Sequence, residues 1–171
     1  MWRLIKSIAL FSALILLVMG CSKENAESGD AVEIYLLKEY SLVTNRCEIV
    51  KSSIVLKDNE LISNNDIVAY HHPEHKITLT GSGLNKLDGI HDNTPFCMTV
   101  DKEIIYAGFF KPGYSSSSCW HSVTIDPISY VDNQINVNLG YPGTLEDFPI
   151  EPDPRENRLL FETFKKQGKL K

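Results

Sequence analysis

Phe96-Cys97-Met98-Thr99-Val100-Asp101-Lys102-Glu103-Ile104-Ile105-Tyr106-Ala107-Gly108-Phe109-Phe110 holds two apolar runs on either side of a short charged stretch. Both runs are rich in β-branched and aromatic side chains, which suit a pleated and partly buried surface, and each is too short for a packed helix. With the polar Asp101-Lys102-Glu103 between them, they predict a β-hairpin with a tight turn. Working outward, Lys76-Ile77-Thr78-Leu79-Thr80 alternates cleanly as a strand. Val32-Glu33-Ile34-Tyr35-Leu36-Leu37 alternates and then thickens into a strand that grows more buried. Cys47 to Leu56 reads as extended, and Val123–Ile125 and Ile135–Leu139 are further strand candidates.

Helical signals are few and short. Ser63 followed by Asp66, in Ser63-Asn64-Asn65-Asp66-Ile67-Val68, predicts a capped helical turn. Ser82 can cap a helix that carries Leu84, Leu87 and Ile90 at helical spacing. Pro142, Pro149, Pro152 and Pro154 interrupt regular structure. Asp153-Pro154-Arg155-Glu156 then offers a cap, a first-turn proline and a capping-box glutamate for a terminal helix, with Leu160, Phe161 and Phe164 as its apolar face. The expected fold class is α+β, an antiparallel-rich sheet with two or three short helices.

At the other end of the chain, Met1-Trp2-Arg3-Leu4-Ile5-Lys6 is basic, and Ile8 to Met19 is apolar except for Ser12. A dozen apolar residues fall short of the roughly 20 that a spanning helix needs, so the segment reads as an export signal. The run closes in Val18-Met19-Gly20-Cys21, which resembles the bacterial lipobox, although Met19 is bulkier than the usual Ala or Ser. That resemblance implies cleavage before Cys21 and a thioether from its sulfur to diacylglycerol. Several fatty chains, palmitate among them, then hold the protein firmly on a membrane, where one would hold it only marginally. The expected organisation is a signal peptide over residues 1–20, a flexible tether over 21–31 and one globular domain over 32–171. The place is the cell envelope, facing the periplasm or the exterior. Ser22 stands where an Asp favours inner-membrane retention in enteric bacteria, which admits an outer-membrane site.

Removing the leader takes away Arg3 and Lys6 and no acid, so the formal charge moves from -5 to -7. An acidic surface argues against nucleic acid, which is bound by neutralising phosphates. The one basic cluster, Lys165, Lys166, Lys169 and Lys171, reads as a solvated helix end, with a lipid-headgroup contact as the other reading. Three cysteines follow Cys21 in a compartment where disulfides persist. Cys97 lies in an apolar run as a small buried hydrophobe, whereas Cys47 and Cys119 lie among polar residues, so a Cys47–Cys119 bridge is expected. The other two pairings stay open on sequence.

The stretch Ser53 to Phe110 resembles the first periplasmic domain of SecD, the Sec export accessory subunit. The matching motifs are Ile54-Val55-Leu56-Lys57-Asp58, Leu61-Ile62-Ser63-Asn64-Asn65-Asp66-Ile67, Ile77-Thr78-Leu79-Thr80-Gly81, Leu84-Asn85-Lys86-Leu87 and Met98-Thr99-Val100-Asp101-Lys102-Glu103-Ile104-Ile105, in the family's order. Lys102 stands where that family has Gly, and the family's membrane helices have no counterpart, so its proton-driven motor role does not carry over. The resemblance implies the fold and a tendency to touch extended polypeptide or envelope partners. The lipobox together with Tyr106-Ala107-Gly108-Phe109-Phe110 and Ser115-Ser116-Ser117-Ser118-Cys119 also resembles small uncharacterised bacterial lipoproteins.

Three constellations could carry chemistry. His71-His72-Pro73-Glu74-His75 holds three imidazoles, the preferred ligands of zinc or copper, but adjacent ligands rarely converge on one ion, and a polar surface loop is the plainer reading. Cys119-Trp120-His121 pairs a thiol with an imidazole, the ingredients of a nucleophile, which a disulfide at Cys119 would remove. Phe109, Phe110, Tyr114 and Trp120 flank the Ser115–Ser118 loop and could rim a groove for a partner, with core packing as the alternative. Neither a phosphate cradle nor a serine-hydrolase elbow is present. The expectation is a non-catalytic envelope protein without a cofactor, which binds other envelope polypeptides through a sheet edge or the Phe109–Trp120 region. The alternative is a small hydrolase or metal-dependent enzyme using His71, His72 and His75.

Overall fold

In a computed structural model of the chain, the residues described are 30–144 and 150–171. The expected signal peptide, Cys21, most of the expected tether and Pro149 lie outside them. The fold is α+β and mostly sheet. Eight strands run in the order β2-β1-β5-β6-β7-β8-β4-β3, with β1 Val32–Glu39, β2 Val55–Leu56, β3 Ile67–His71, β4 Lys76–Leu79, β5 Pro95–Val100, β6 Glu103–Phe110, β7 Cys119–Ile125 and β8 Gln134–Tyr141. Each neighbouring pair is antiparallel except β6 with β7. The helices are α1, Gly81–Asn85, and α2, Arg158–Lys166. Among the described residues no helix is long and apolar enough to cross a membrane.

The β5–β6 hairpin forms as its sequence predicts, and its turn is tighter than the charged tripeptide suggests. Val100 pairs with Glu103, which leaves a two-residue loop. Asp101 and Lys102 both take positive φ, 49° and 66°, the backbone whose twist matches that of the flanking strands. Asp101 gains a second use there. Its carboxylate accepts the N–H groups of Asp30 at 2.7 Å and Ala31 at 2.8 Å, fixing the start of β1 to the turn.

Elsewhere the predicted elements shift for local reasons. The stretch from Cys47 to Leu56 yields only β2 and a 3-10 turn at Lys51–Ser53. Here the Ser53 hydroxyl donates to Val50 O at 2.7 Å and accepts Ser41 N–H at 2.8 Å, so a side chain takes the place of ladder partners. The Ser63 capping box holds a 3-10 turn at Asn64–Asp66, but Ile67 and Val68 leave it for β3, where Ile67 is buried opposite Leu79. Thr80 rather than Ser82 caps α1, accepting Gly83 N–H at 3.0 Å. The terminal helix starts at Arg158 under an Asn157 cap instead of at Pro154. Asp153 is no cap, because it pairs with Arg155 at 2.7 Å while Arg155 donates to Val137 O at 2.7 Å, which commits the segment to β8 before the helix begins.

Leu160 and Phe164 bring α2 onto the sheet among Ile34, Ile62, Phe96 and Met98, and Phe164 stacks on Tyr70 at 5.0 Å. The outer edge of β3 is covered as well. Tyr70 N–H donates to Lys169 O at 2.8 Å, and Lys171 N–H donates to Tyr70 O at 2.9 Å. That added parallel segment hides backbone groups that would otherwise invite pairing with another chain.

Candidate functional site

One part of the sheet leaves backbone unpaired, and the register of β1 explains why. Along Val32–Leu36, the strand pairs with β5 on one side, while Ile34 and Leu36 bond residues 57–62 on the other. Between Leu37 and Glu39 the register against β2 shifts by one residue, a β-bulge. A bulge reverses which residues aim their N–H and C=O at which neighbour. After it, Ser41 O accepts Val50 N–H and Val43 N–H donates to Glu48 O, each at 2.9 Å. Alternation then turns the backbone groups of Tyr40 and Leu42 toward the β5 side. There β5 has already ended: its first residue, Pro95, lies opposite Phe109, and Pro has no N–H to offer. Leu42 lies across from Ile49, but among the described residues neither Tyr40 nor Leu42 has a backbone hydrogen bond from its own N–H or C=O.

The space beside this overhang is a groove of about 500 Å³, lined by Tyr40, Leu42, Val43 and Phe109, with Asn93 and Arg46 at its polar margins. Tyr40 meets Phe109 edge-on at 6.2 Å between centroids. Tyr40 and Leu42 are 38% and 49% exposed, so an apolar surface and an open strand edge coincide. The expected disulfide supports it. Cys47 and Cys119 are bonded, with Cα atoms 5.3 Å apart and a sequence separation of 72. The bridge staples the Tyr40–Val50 arm to β7 and stabilises the fold by about 4 kcal/mol through the entropy of the closed loop. It also leaves Cys119 without a free thiolate beside His121. Among the described residues Cys97 is the remaining thiol; it is buried, and burial pushes its pKa up to about 12.

The aromatic residues predicted to rim a groove separate. Phe110 is wholly buried against Phe96, with centroids 5.0 Å apart, and belongs to the core. Phe109, 3% exposed, forms the groove floor from beneath. Tyr114 is two-thirds exposed on its loop, and Trp120 is half-buried in β7. The serine loop between them is tied down by Lys111, which sequence reading passed over. Its buried ammonium sits 3.0 Å from Asp92 Oδ1 and donates to Ser117 Oγ at 2.8 Å and Asn93 Oδ1 at 3.0 Å. The sequence signal was a lysine directly after the apolar Phe109-Phe110.

The histidine loop joins β3 to β4, and its three rings part company. His71 Nε2 lies 2.8 Å from Thr78 Oγ1. His72 and His75 both approach Glu156 Oε1, at 3.0 and 3.1 Å. The buried His75 also has Nδ1 2.7 Å from the Tyr70 hydroxyl. With the neutral ring's proton on Nε2, the Tyr70 hydroxyl donates to Nδ1, and Nε2 faces the Glu156 carboxylate. Burial, followed by the nearby Arg155 charge, holds the His75 pKa below its usual value. The arrangement joins the loop to the segment before α2. Among the described residues no group of three or more His, Cys, Asp or Glu side chains is set to hold a metal ion. Comparison with protein-family models, curated proteins and solved structures gives no match to this chain.

Proposed function

We propose that this protein is a lipid-anchored envelope protein that binds an extended segment of another polypeptide as an added strand, without reacting with it. The observation that carries the reading is the unpaired Tyr40–Leu42 edge beside an apolar groove. In strand addition, main-chain hydrogen bonds supply affinity and pockets for alternate side chains supply selectivity. Tyr40, Leu42 and Phe109 suit apolar side chains at every second position of the incoming segment. The lipobox-like Val18-Met19-Gly20-Cys21 supports the anchor, and the SecD-like order of motifs between Ser53 and Phe110 supports an affinity for extended chain in the envelope.

A test uses a fluorescent octapeptide of alternating Val and Thr, titrated against the wild-type protein and Leu42→Pro. Proline removes the outward N–H at a position where a sheet edge tolerates it. The expected result is saturable binding that weakens at least tenfold in Leu42→Pro, with the thermal midpoint nearly unchanged. Binding of equal strength by both proteins would contradict strand addition.

A further inference from the structure

Among the described residues eight large apolar side chains stand exposed, and half of them fall on two loops. Tyr114 rises from the loop between β6 and β7, and Ile128, Tyr130 and Val131 from the loop between β7 and β8. They are 43% to 76% exposed. The two loops touch. A Cβ on Gly113 would lie 3.3 Å from Asp126 Oδ2 and 3.5 Å from Ser129 Oγ, which sets Tyr114 beside the Ile128–Val131 stretch.

Both loops are held in shape by their own hydrogen bonds. Asp126 Oδ1 accepts the N–H groups of Ile128 at 3.0 Å and Ser129 at 3.2 Å, and Gln134 N–H donates to Val131 O at 2.9 Å. In the other loop Ser115 N–H donates to Pro112 O at 2.8 Å, and the Tyr141 hydroxyl donates to Ser115 O at 3.1 Å. The backbone is thus satisfied while the apolar groups face water. A surface set in this way has little ordering left to do on binding, and Tyr is enriched where proteins meet.

Charge indicates which partner suits it. Residues 112–133 contain no Lys or Arg and two acids, Asp126 and Asp132. Cations on neighbouring segments are already paired. Lys111 at the start of the first loop is buried on Asp92, and Arg155, which lines a cavity with Asp126, holds Asp153. Leu79 N–H donates to Asn133 O, and beyond Leu79 the Lys86 ammonium is held by Asp66. Lys76 stands farther along β8, across from Asn136. Among the described residues neither Asp126 nor Asp132 pairs with a cation of this chain.

We infer that Tyr114, Ile128, Tyr130 and Val131 form a docking surface for a polypeptide whose apolar side chains are flanked by Lys or Arg. Burial of the four apolar groups supplies the attraction. Asp126 and Asp132 supply the selectivity, because complementary charge excludes wrong partners more than it adds affinity. Lipid is disfavoured on the same grounds: the two carboxylates repel anionic headgroups, and the loops offer no Lys or Arg to a phosphate. The surface is separate from the Tyr40–Leu42 groove and does not depend on strand addition there.

The experiment uses the full chain and a fluorescent twelve-residue peptide of Leu and Lys in equal number. Expected is saturable binding that weakens at least fivefold when Ile128→Ser and Val131→Ser are combined, with the thermal midpoint nearly unchanged. A similar loss is expected when Asp126→Asn and Asp132→Asn are combined. Asn keeps the acceptor that shapes the loop and tolerates the positive φ at position 132, so that pair removes charge alone. The peptide with Glu in place of Lys should bind at least fivefold more weakly. Equal binding by the wild type and either pair, or of the two peptides, would overturn the inference, and so would a loss in Leu42→Pro, which would place the peptide in the groove. A photoreactive benzophenone residue in place of Tyr114 identifies the occupant. Cross-linking to the Leu–Lys peptide supports the inference. Cross-linking to phosphatidylglycerol vesicles instead, or dimers of the protein alone that Ile128→Ser with Val131→Ser dissolves, would overturn it in favour of lipid or of a second copy.

Discussion

Lys111 shows what a single buried charge can hold in place. Its side chain is 0% exposed, and its ammonium ties Asp92, Asn93 and Ser117, three points on two loops, to the end of β6. Lys111→Met keeps the stem but leaves Asp92 without its cation, which should cost on the order of 2 kcal/mol or more, read as a lower urea midpoint. Asp66 and His75 contribute to the response to acid in different windows. Burial opposes ionisation of Asp66, yet hydrogen bonds from Lys86 and Ser63 hold its carboxyl at about 2. A folded pKa below the unfolded value of about 3.9 gives stability that is present above pH 4 and lost as pH falls toward 2, about 2 kcal/mol in all. Asp66→Asn should abolish that loss between pH 4 and 2. His75 acts in a higher window. Its lowered folded pKa means that the unfolded chain takes up the proton first, so stability is full above about pH 6.5 and declines below it.

At the scale of elements, the parallel contact of β6 with β7 depends on one missing side chain. A Cβ on Gly108 would lie 1.9 Å from Val123 O, and backbone cannot turn aside as a side chain can. Gly108→Ala should force the pair apart and cost about 3 kcal/mol, measured by chemical denaturation. The position also marks where sequence reading reaches its limit. The hairpin was legible because two apolar runs met at a polar turn, and the Cys47–Cys119 bridge because Cys97 alone sat in an apolar run. The alternation in β1 and β4 likewise marked strands. Missed were β3, whose Ile67 and Val68 follow a genuine capping box, and the true start of α2, hidden behind a Pro and Glu whose neighbours Asp153 and Arg155 serve β8 instead. These depend on pairing partners distant in sequence, which local pattern does not encode. The same holds for the candidate site: Phe109 was singled out, but Tyr40 and Leu42 matter only because a bulge in β1 and the early end of β5 coincide in space.

Across the whole molecule, the free edges of the sheet receive different treatment. Beside β3 the segment Lys169–Lys171 supplies bonds, and β2 is only two residues long, so both present little for another chain to pair with. The overhang of β1 keeps its backbone groups and its apolar side chains open, braced by the disulfide. Such a contrast favours an edge kept for a partner over one left by accident of folding. Amide hydrogen exchange at Tyr40 and Leu42, followed by NMR with and without the Val–Thr octapeptide, tests this most directly. An open edge predicts fast exchange at both amides in the free protein and at least tenfold slowing with peptide, while Ile34, bonded to Ile62 O, stays slow throughout. Protected Tyr40 and Leu42 amides in the free protein, or amides indifferent to saturating peptide, would contradict it.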